Sequence, residues 1–201
     1  MNDVSNAEFW QPLYDSHTFP WDLGRPTPIF QRLVETNAFP PGKMLVLGAG
    51  HGYDARLFAR HGFEITAVDF ALGAVEIMKK LAEPNTPVTI LQSDFFELPQ
   101  ALNGTFDYVL DTTSFCAIDP KRRGEYAKLV RRVLEVNGRY IILAFPIGKR
   151  PGGPPFVVQP DNIIELFTEQ LFSLESREFP PDSIPSRTGV EELLILKKGA
   201  D

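Results

Sequence analysis

The chain has 201 residues, 43% hydrophobic and 23% charged, with a formal net charge of −6. That length suits one domain with a sizeable core, and the acidic balance argues against non-specific binding to nucleic acid or to a membrane surface. One cysteine, Cys116, excludes an internal disulfide framework and fits a reducing cytoplasm, and the scattered His17, His51 and His61 write no structural zinc site.

The opening MNDVSNAEFW lacks the basic-then-apolar order of a secretory signal, and no apolar run approaches the ~20 residues that span a bilayer. Residues 1–42 precede the first strand and carry both tryptophans, Trp10 and Trp21. Residues 44–48 form an apolar run ending in glycine, which predicts a buried strand. Residues 53–61 predict a helix through Ala55, Leu57, Phe58 and Ala59, stopped by Gly62. A strand over 64–69 follows, then a helix over 72–82 with Val75, Met78, Lys79 and Ala82 near one stripe. Strands are predicted at 88–92 and 106–111. Pro120 opens a basic helix that runs through Glu135, Gly138 ends that unit, and 140–145 is the next strand. Residues 171–178 and 191–198 read as two strands joined by a loop alone, so one of them runs antiparallel. The result is an α/β fold: a seven-stranded, mostly parallel sheet with one antiparallel C-terminal strand and helices on both faces, in a single domain. The Pro/Gly-rich loop 146–160 follows the carboxyl end of a strand, where open α/β sheets bind ligands; a surface linker would have the same composition.

The stretch LVLGAGHGYD places glycines at 48, 50 and 52. Bare backbone at Gly48, Ala49 and Gly50 lets a ligand approach closely. A dinucleotide fingerprint is G-x-G-x-x-G, and Tyr53 occupies the place of its third glycine, which weakens that reading. Asp69 ends the second strand, 19 residues beyond Gly50, with Phe70 beside it; a carboxylate there can accept from both hydroxyls of a ribose. The third strand leads into Ser93-Asp94-Phe95-Phe96. An acid beside an aromatic suits adenine, the acid accepting from the exocyclic amine and the aromatic covering a ring face. Together these features point to a Rossmann-like S-adenosylmethionine methyltransferase. A nicotinamide dehydrogenase and a cofactor-binding module without turnover are the alternatives.

Three further pieces narrow the likeness: FPWDLGRPTP from Phe19, FCAIDP from Phe115 and GGPPF from Gly152. With LGAGHGYD and SDFF they closely resemble the thiopurine methyltransferase superfamily, nearest its plant-type halide/thiol branch, over nearly the whole chain. The resemblance implies that the 1–42 arm covers the cofactor, with Trp10, Tyr14 and Trp21 at its aromatic positions and Arg25 at its basic one. Aromatics beside a sulfonium can also act by cation–π attraction. Asp111, at the end of the fourth strand, has two readings: it orients the cofactor's amino group or the acceptor, or it caps the turn that follows. In the halide-methylating branch, tyrosines stand near the methyl group where this chain has Thr112 and Phe145. Loss of both phenols favours an organic thiol or hydrosulfide over a halide; thiocyanate, thiopurine and selenium or tellurium oxyanions are the other acceptors.

Such a transfer is an in-line displacement from a good leaving group. A thiol with a pKa of about 8.5 is partly ionised at neutral pH, so no general base is obligatory. Proximity, alignment and a water-poor pocket are the expected contributions, with no metal and no covalent intermediate. Cys116, in an apolar FCAI context, reads as a core or pocket-wall residue, and His17 and His51 as local hydrogen-bonders. The basic helix reads as a solvated face with Tyr126, Leu129, Val130 and Val133 turned inward. A small-molecule acceptor is the expected partner, and a monomer or weak dimer the expected state.

Overall fold

A computed structural model of the protein describes residues 3–200. Among them, seven strands belong to one mixed sheet. The chain gathers into two compact units, one ending at Leu98 and the other starting at Pro99.

The first unit opens with two helices that the strand pattern did not announce, α1 (Ala7–Asp15) and α2 (Pro28–Glu35). α2 has proline at its first position, where a missing N–H leaves no bond unmade, and it buries Ile29, Phe30, Leu33 and Val34. α1 carries Pro12 within it, which hides the helix from a sequence reading because proline removes a backbone donor. β1 (Lys43–Leu47), β2 (Glu64–Asp69) and β3 (Val88–Gln92) then run parallel in the order β3-β2-β1. β1 is buried from Met44 to Leu47, as a parallel strand covered on both faces should be. The helices α3 (Tyr53–Arg60) and α4 (Leu72–Lys80) alternate with these strands. The inward stripe of α4 is Ala74, Val75 and Met78; Lys79 and Ala82, placed there by the sequence reading, are exposed.

The second unit holds β4 (Phe106–Thr112), α5 (Arg123–Val133), β5 (Leu134–Ala144), α6 (Pro160–Thr168), β6 (Phe172–Glu178) and β7 (Glu192–Lys198). The strand order is β4-β5-β7-β6. β4 and β5 are parallel, and β7 runs antiparallel to both neighbours, so the expected reversed strand is β7. α6 was not anticipated, although Pro160 opens it and Ile163 and Phe167 bury one turn apart. α5 buries Tyr126, Ala127, Leu129, Val130 and Val133. Its arginines are anchored rather than merely solvated. Arg123 Nη2 donates to the Val157 carbonyl at 3.1 Å, Arg131 Nη1 to the Gln170 carbonyl at 2.8 Å, and Arg132 Nη1 to Asn103 Oδ1 at 2.5 Å. No helix of the described residues is long and apolar enough to cross a membrane.

The α5–β5 junction corrects the sequence reading. The helix stops at Val133, and Gly138 lies inside β5. Leu134 pairs with Phe106 and Arg139 with Tyr108, so residues 135–138 bulge between them, with Asn137 at a φ of 69°. A Cβ on Gly138 would sit 3.0 Å from the Glu135 carbonyl oxygen and 3.1 Å from that of Asp107. Glycine is required there by crowding in the bulge and not as a helix stop. Gly138→Ala is therefore expected to cost about 1–3 kcal/mol. A lower urea midpoint at unchanged slope would show it.

Candidate active site

Gly48, Gly50 and Gly52 all have positive φ, at 59°, 53° and 70°. The turn is closed by the Gly52 amide donating to the Ala49 carbonyl at 2.8 Å, and tied to β2 by the Ala49 amide donating to the Val68 carbonyl at 2.9 Å. The last two glycines differ in what lies around them. A Cβ on Gly52 would meet Met78 Cγ at 2.6 Å, so protein already fills that space. A Cβ on Gly50 would meet only the Tyr14 hydroxyl, at 3.8 Å, so the backbone is left bare there. Asp69 sits beside it. Its Oδ2 accepts from the Gly50 amide at 2.9 Å and its Oδ1 from the Ala71 amide at 3.0 Å. A carboxylate has about four lone-pair sites, and with the Gly50, Ala71 and Phe70 amides on it Asp69 keeps capacity for a further donor. The Ser93 amide donates to the Asp69 carbonyl at 3.1 Å, joining the ends of β2 and β3. Asp94 caps the short turn Phe95–Glu97, its Oδ1 accepting from the Phe96 amide at 2.9 Å.

The arm brings its aromatics onto this region. Tyr14 is buried against Ala71 and Ala74, with Trp10, Phe19, Trp21 and Phe70 packed around it. Trp10 and Trp21 meet edge-on at 5.6 Å, as do Tyr14 and Trp21 at 6.0 Å. The Trp21 side chain hydrogen-bonds the Tyr14 hydroxyl, and burial together with the nearby Asp69 charge drives that phenol's pKa far up. Two polar ties fix the arm. The Gly73 amide donates to Gln11 Oε1 at 3.1 Å, and Thr27 donates its amide and hydroxyl to the two Asp54 oxygens at 2.7 and 2.8 Å. A third tie joins Asp22 of the arm to His51 of the glycine turn, through Oδ2 and Nδ1. Arg25 is exposed and joins none of these contacts.

The second unit carries a separate constellation at the ends of β4 and β5. Asp111 is 1% exposed. Its Oδ1 accepts from the amides of Ser114 and Phe115 at 3.1 and 3.2 Å; its Oδ2 accepts from the hydroxyls of Tyr126 and, at 3.1 Å, Tyr140. Four donors use its lone pairs, so its visible task is holding the turn after β4. Burial raises its pKa despite those donors. A narrow recess nearby is lined by Thr113, Phe115, Cys116, Phe145 and Val158. Cys116 is buried, and desolvation, with the Asp111 charge second, pushes its thiol up to about 12, so it is no nucleophile. The Thr112 Oγ1 is buried with no hydrogen-bond partner. Arg187 lies over the Phe145 ring at 4.5 Å and Arg123 over Phe115 at 5.0 Å. Sequence reading missed both arginines, because no spacing links 187 to 145.

The profile of the thiopurine S-methyltransferase family matches residues 5–192. The chain belongs to that family. Its relatives include "Probable thiol methyltransferase 2" of Arabidopsis thaliana, 34% identical over 95% of this chain and 85% of that one. Thiocyanate methyltransferase 1 of Brassica oleracea is 33% identical over 94% of this chain and 84% of that one. Among solved structures, a Burkholderia thailandensis N1-methyltransferase holding S-adenosylhomocysteine shares the fold, with a TM-score of 0.75 and 18% identity over 98% of this chain and 88% of that one.

The protein is an S-adenosylmethionine-dependent methyltransferase, and its first unit fits that cofactor: a turn left bare at Gly50, a buried carboxylate with spare acceptor capacity and a cluster of aromatic faces. Among the described residues no group of His, Cys, Asp and Glu could hold a metal ion.

Burial pushes the Asp69 carboxyl up to about 6, against the lowering pull of the Ala71, Gly50 and Phe70 amides. The folded methyltransferase then holds this proton more tightly than the unfolded chain, whose aspartates titrate at about 3.9. Stability from this group is full below that value and is lost as pH rises to about 6. The difference between those two values corresponds to about 3 kcal/mol. Ligand-free protein should therefore become easier to unfold in urea between about pH 4 and 6. Asp69→Asn should remove its share of that slope and leave the part due to Asp111.

Proposed function

We propose that this methyltransferase moves a methyl group to a small sulfur nucleophile, a thiol or hydrosulfide. The observation that carries the reading is the wall at the ends of β4 and β5. Phe145 lines it among Thr113, Phe115, Cys116 and Val158, and by the family resemblance Phe145 and Thr112 take the places of the two phenols of the halide-methylating branch. A wall of rings, sulfur and alkyl groups suits a soft, polarizable sulfur better than a hard anion that needs donors. Arg123, over the Phe115 ring, adds positive potential that favours an ionised acceptor, while Arg187, over Phe145, is paired with Glu191 at 3.9 Å. The names of the thiol and thiocyanate relatives agree with sulfur.

Bound in the first unit, S-adenosylmethionine supplies an electrophilic methyl on a sulfonium. In this reading Gly48, Ala49 and Gly50 admit its backbone-facing end, Asp69 accepts from its ribose, and Asp94, Phe95 and Phe70 receive its adenine. Trp10, Tyr14 and Trp21 offer π-faces to the sulfonium. Asp111 is a positioning residue for the turn after Thr112, and Arg25 stands at the family's basic position on the arm. The chain works as one methyltransferase domain with residues 1–42 as its cover, in the cytoplasm, as a monomer or weak dimer and without a nucleic-acid partner. The lone buried thiol and the net charge of −6 support those last points.

Asp69→Ala should weaken S-adenosylmethionine binding by about 1–3 kcal/mol, the cost of losing charge-assisted hydrogen bonds. Unchanged affinity by calorimetry would remove the ribose role. Purified protein given hydrosulfide, an aryl thiol, thiocyanate and iodide in separate reactions should release S-adenosylhomocysteine fastest with the sulfur acceptors. Iodide turning over faster than every thiol would overturn the acceptor assignment.

A further inference from the structure

His51 stands out among the buried polar side chains. Its residue is 8% exposed, and it sits between Gly50 and Gly52 on the bare turn. Its Nδ1 faces Asp22 Oδ2, while Nε2 is buried with no hydrogen-bond partner. Asp22 is itself fixed, its Oδ1 accepting from the Gly24 amide at 2.6 Å. A carboxylate can only accept, so Nδ1 carries the hydrogen. In the neutral ring Nε2 then presents a bare lone pair. A base held in one tautomer by a carboxylate is the arrangement that proton-abstracting histidines need.

The surroundings say which proton it would take. Phe19 meets the ring edge-on at 4.6 Å, Tyr14 at 5.8 Å and Tyr53 at 6.0 Å. Tyr14 and Phe19 belong to the aromatic cluster of the arm, the cluster suited to a sulfonium. An in-line nucleophile sits about 3–3.5 Å from the methyl it attacks, so the acceptor arrives beside that same cluster. The other charged or titratable groups facing His51 are Arg56, whose Nη1 donates to the His51 carbonyl at 2.7 Å, and the Tyr14 and Tyr53 hydroxyls. The guanidinium has no acceptor lone pair and the phenols no nitrogen one, so Nε2 is the bare nitrogen lone pair of this group.

We infer that His51 is the catalytic base for protonated acceptors, with Asp22 as its positioning residue. The acceptor S–H bond breaks and its proton passes to Nε2. The freed sulfur pair forms the new S–CH3 bond, the methyl–sulfonium bond breaks with its pair kept on the cofactor sulfur, and His51 later returns the proton to water. This goes beyond the sequence expectation that no general base is obligatory, and it rests on the thiol reading above.

The test compares an alkyl thiol, which must lose a proton, with thiocyanate, which has none. His51→Asn keeps a donor for Asp22 near the Nδ1 place and removes Nε2. It should slow the thiol reaction at pH 7 by about 10²- to 10⁴-fold, the usual range for a lost general base, and leave thiocyanate within a few-fold. The gap should close as pH passes the thiol's own pKa. Asp22→Asn should give a smaller loss with the same acceptor dependence. A readout without turnover uses the complex with S-adenosylhomocysteine: a bound aryl thiol should show its thiolate absorbance with wild-type protein and lose it with His51→Asn. Equal losses on both acceptors, or weaker S-adenosylhomocysteine binding that accounts for them, would make His51 a structural or cofactor-holding group and overturn the inference. Unchanged thiol turnover in His51→Asn would overturn it as well. Wild-type protein that methylates thiocyanate and no thiol would instead remove the acceptor reading itself.

Discussion

The carboxylate of Asp69 holds the first unit's site together. It ends β2, and its two oxygens reach in opposite directions along the chain, to the amide of Gly50 in the preceding turn and to that of Ala71 at the start of α4. That bridge adds to the two backbone hydrogen bonds that close the turn and tie it to β2, and so helps to hold three left-handed glycines that bring no side chain of their own. Burying this charge is costly, as its raised proton affinity shows. The amides offset part of that cost. A ligand with hydroxyl donors would offset more of it, which ties the folding of the turn to the binding it serves.

The arm is the second layer of this logic. It is fastened by polar contacts at three separate places: Gln11 on Gly73, Asp22 on His51 and Thr27 on Asp54. Around those fixings the aromatic side chains Trp10, Tyr14, Phe19 and Trp21 pack together. The fixings set the position of the segment that carries these rings. Trp10 illustrates the mixture, its indole N–H donating to the Val4 carbonyl at 2.9 Å while its ring faces Trp21.

Strands were the legible part of the sequence. β2 and β3 were read with their bounds as found, because apolar runs between turn residues leave little choice. Helices were read less well wherever proline intervened or tertiary packing decided. α1 hides behind Pro12, and the end of α5 was set too late because Leu134 pairs with β4 while the residues after it bulge. The glycine turn and Asp69 were legible because each is a short-range pattern attached to a strand end. Asp111 was read as a ligand-orienting group or a turn cap; the Ser114 and Phe115 amides make it the cap, while its two phenol donors, Tyr126 and Tyr140, come from up to 29 residues away. The pairing of Asp22 with His51 spans the same distance (51 − 22 = 29). No local pattern encodes a contact at that separation. Arg187 over Phe145 was invisible for the same reason.

The saturated state of Asp111 separates two jobs that many pockets mix. The turn after β4 is clamped from a helix and from a neighbouring strand by groups that never leave the interior. Thr112 and Phe145 donate nothing to the Asp111 carboxylate. Under the acceptor reading proposed above, exchanging these two side chains would alter which nucleophile is welcome and leave all four of those donors in place. Acceptor preference would then be a replaceable fitting on a fixed bracket, open to change without first having to re-evolve a stable fold.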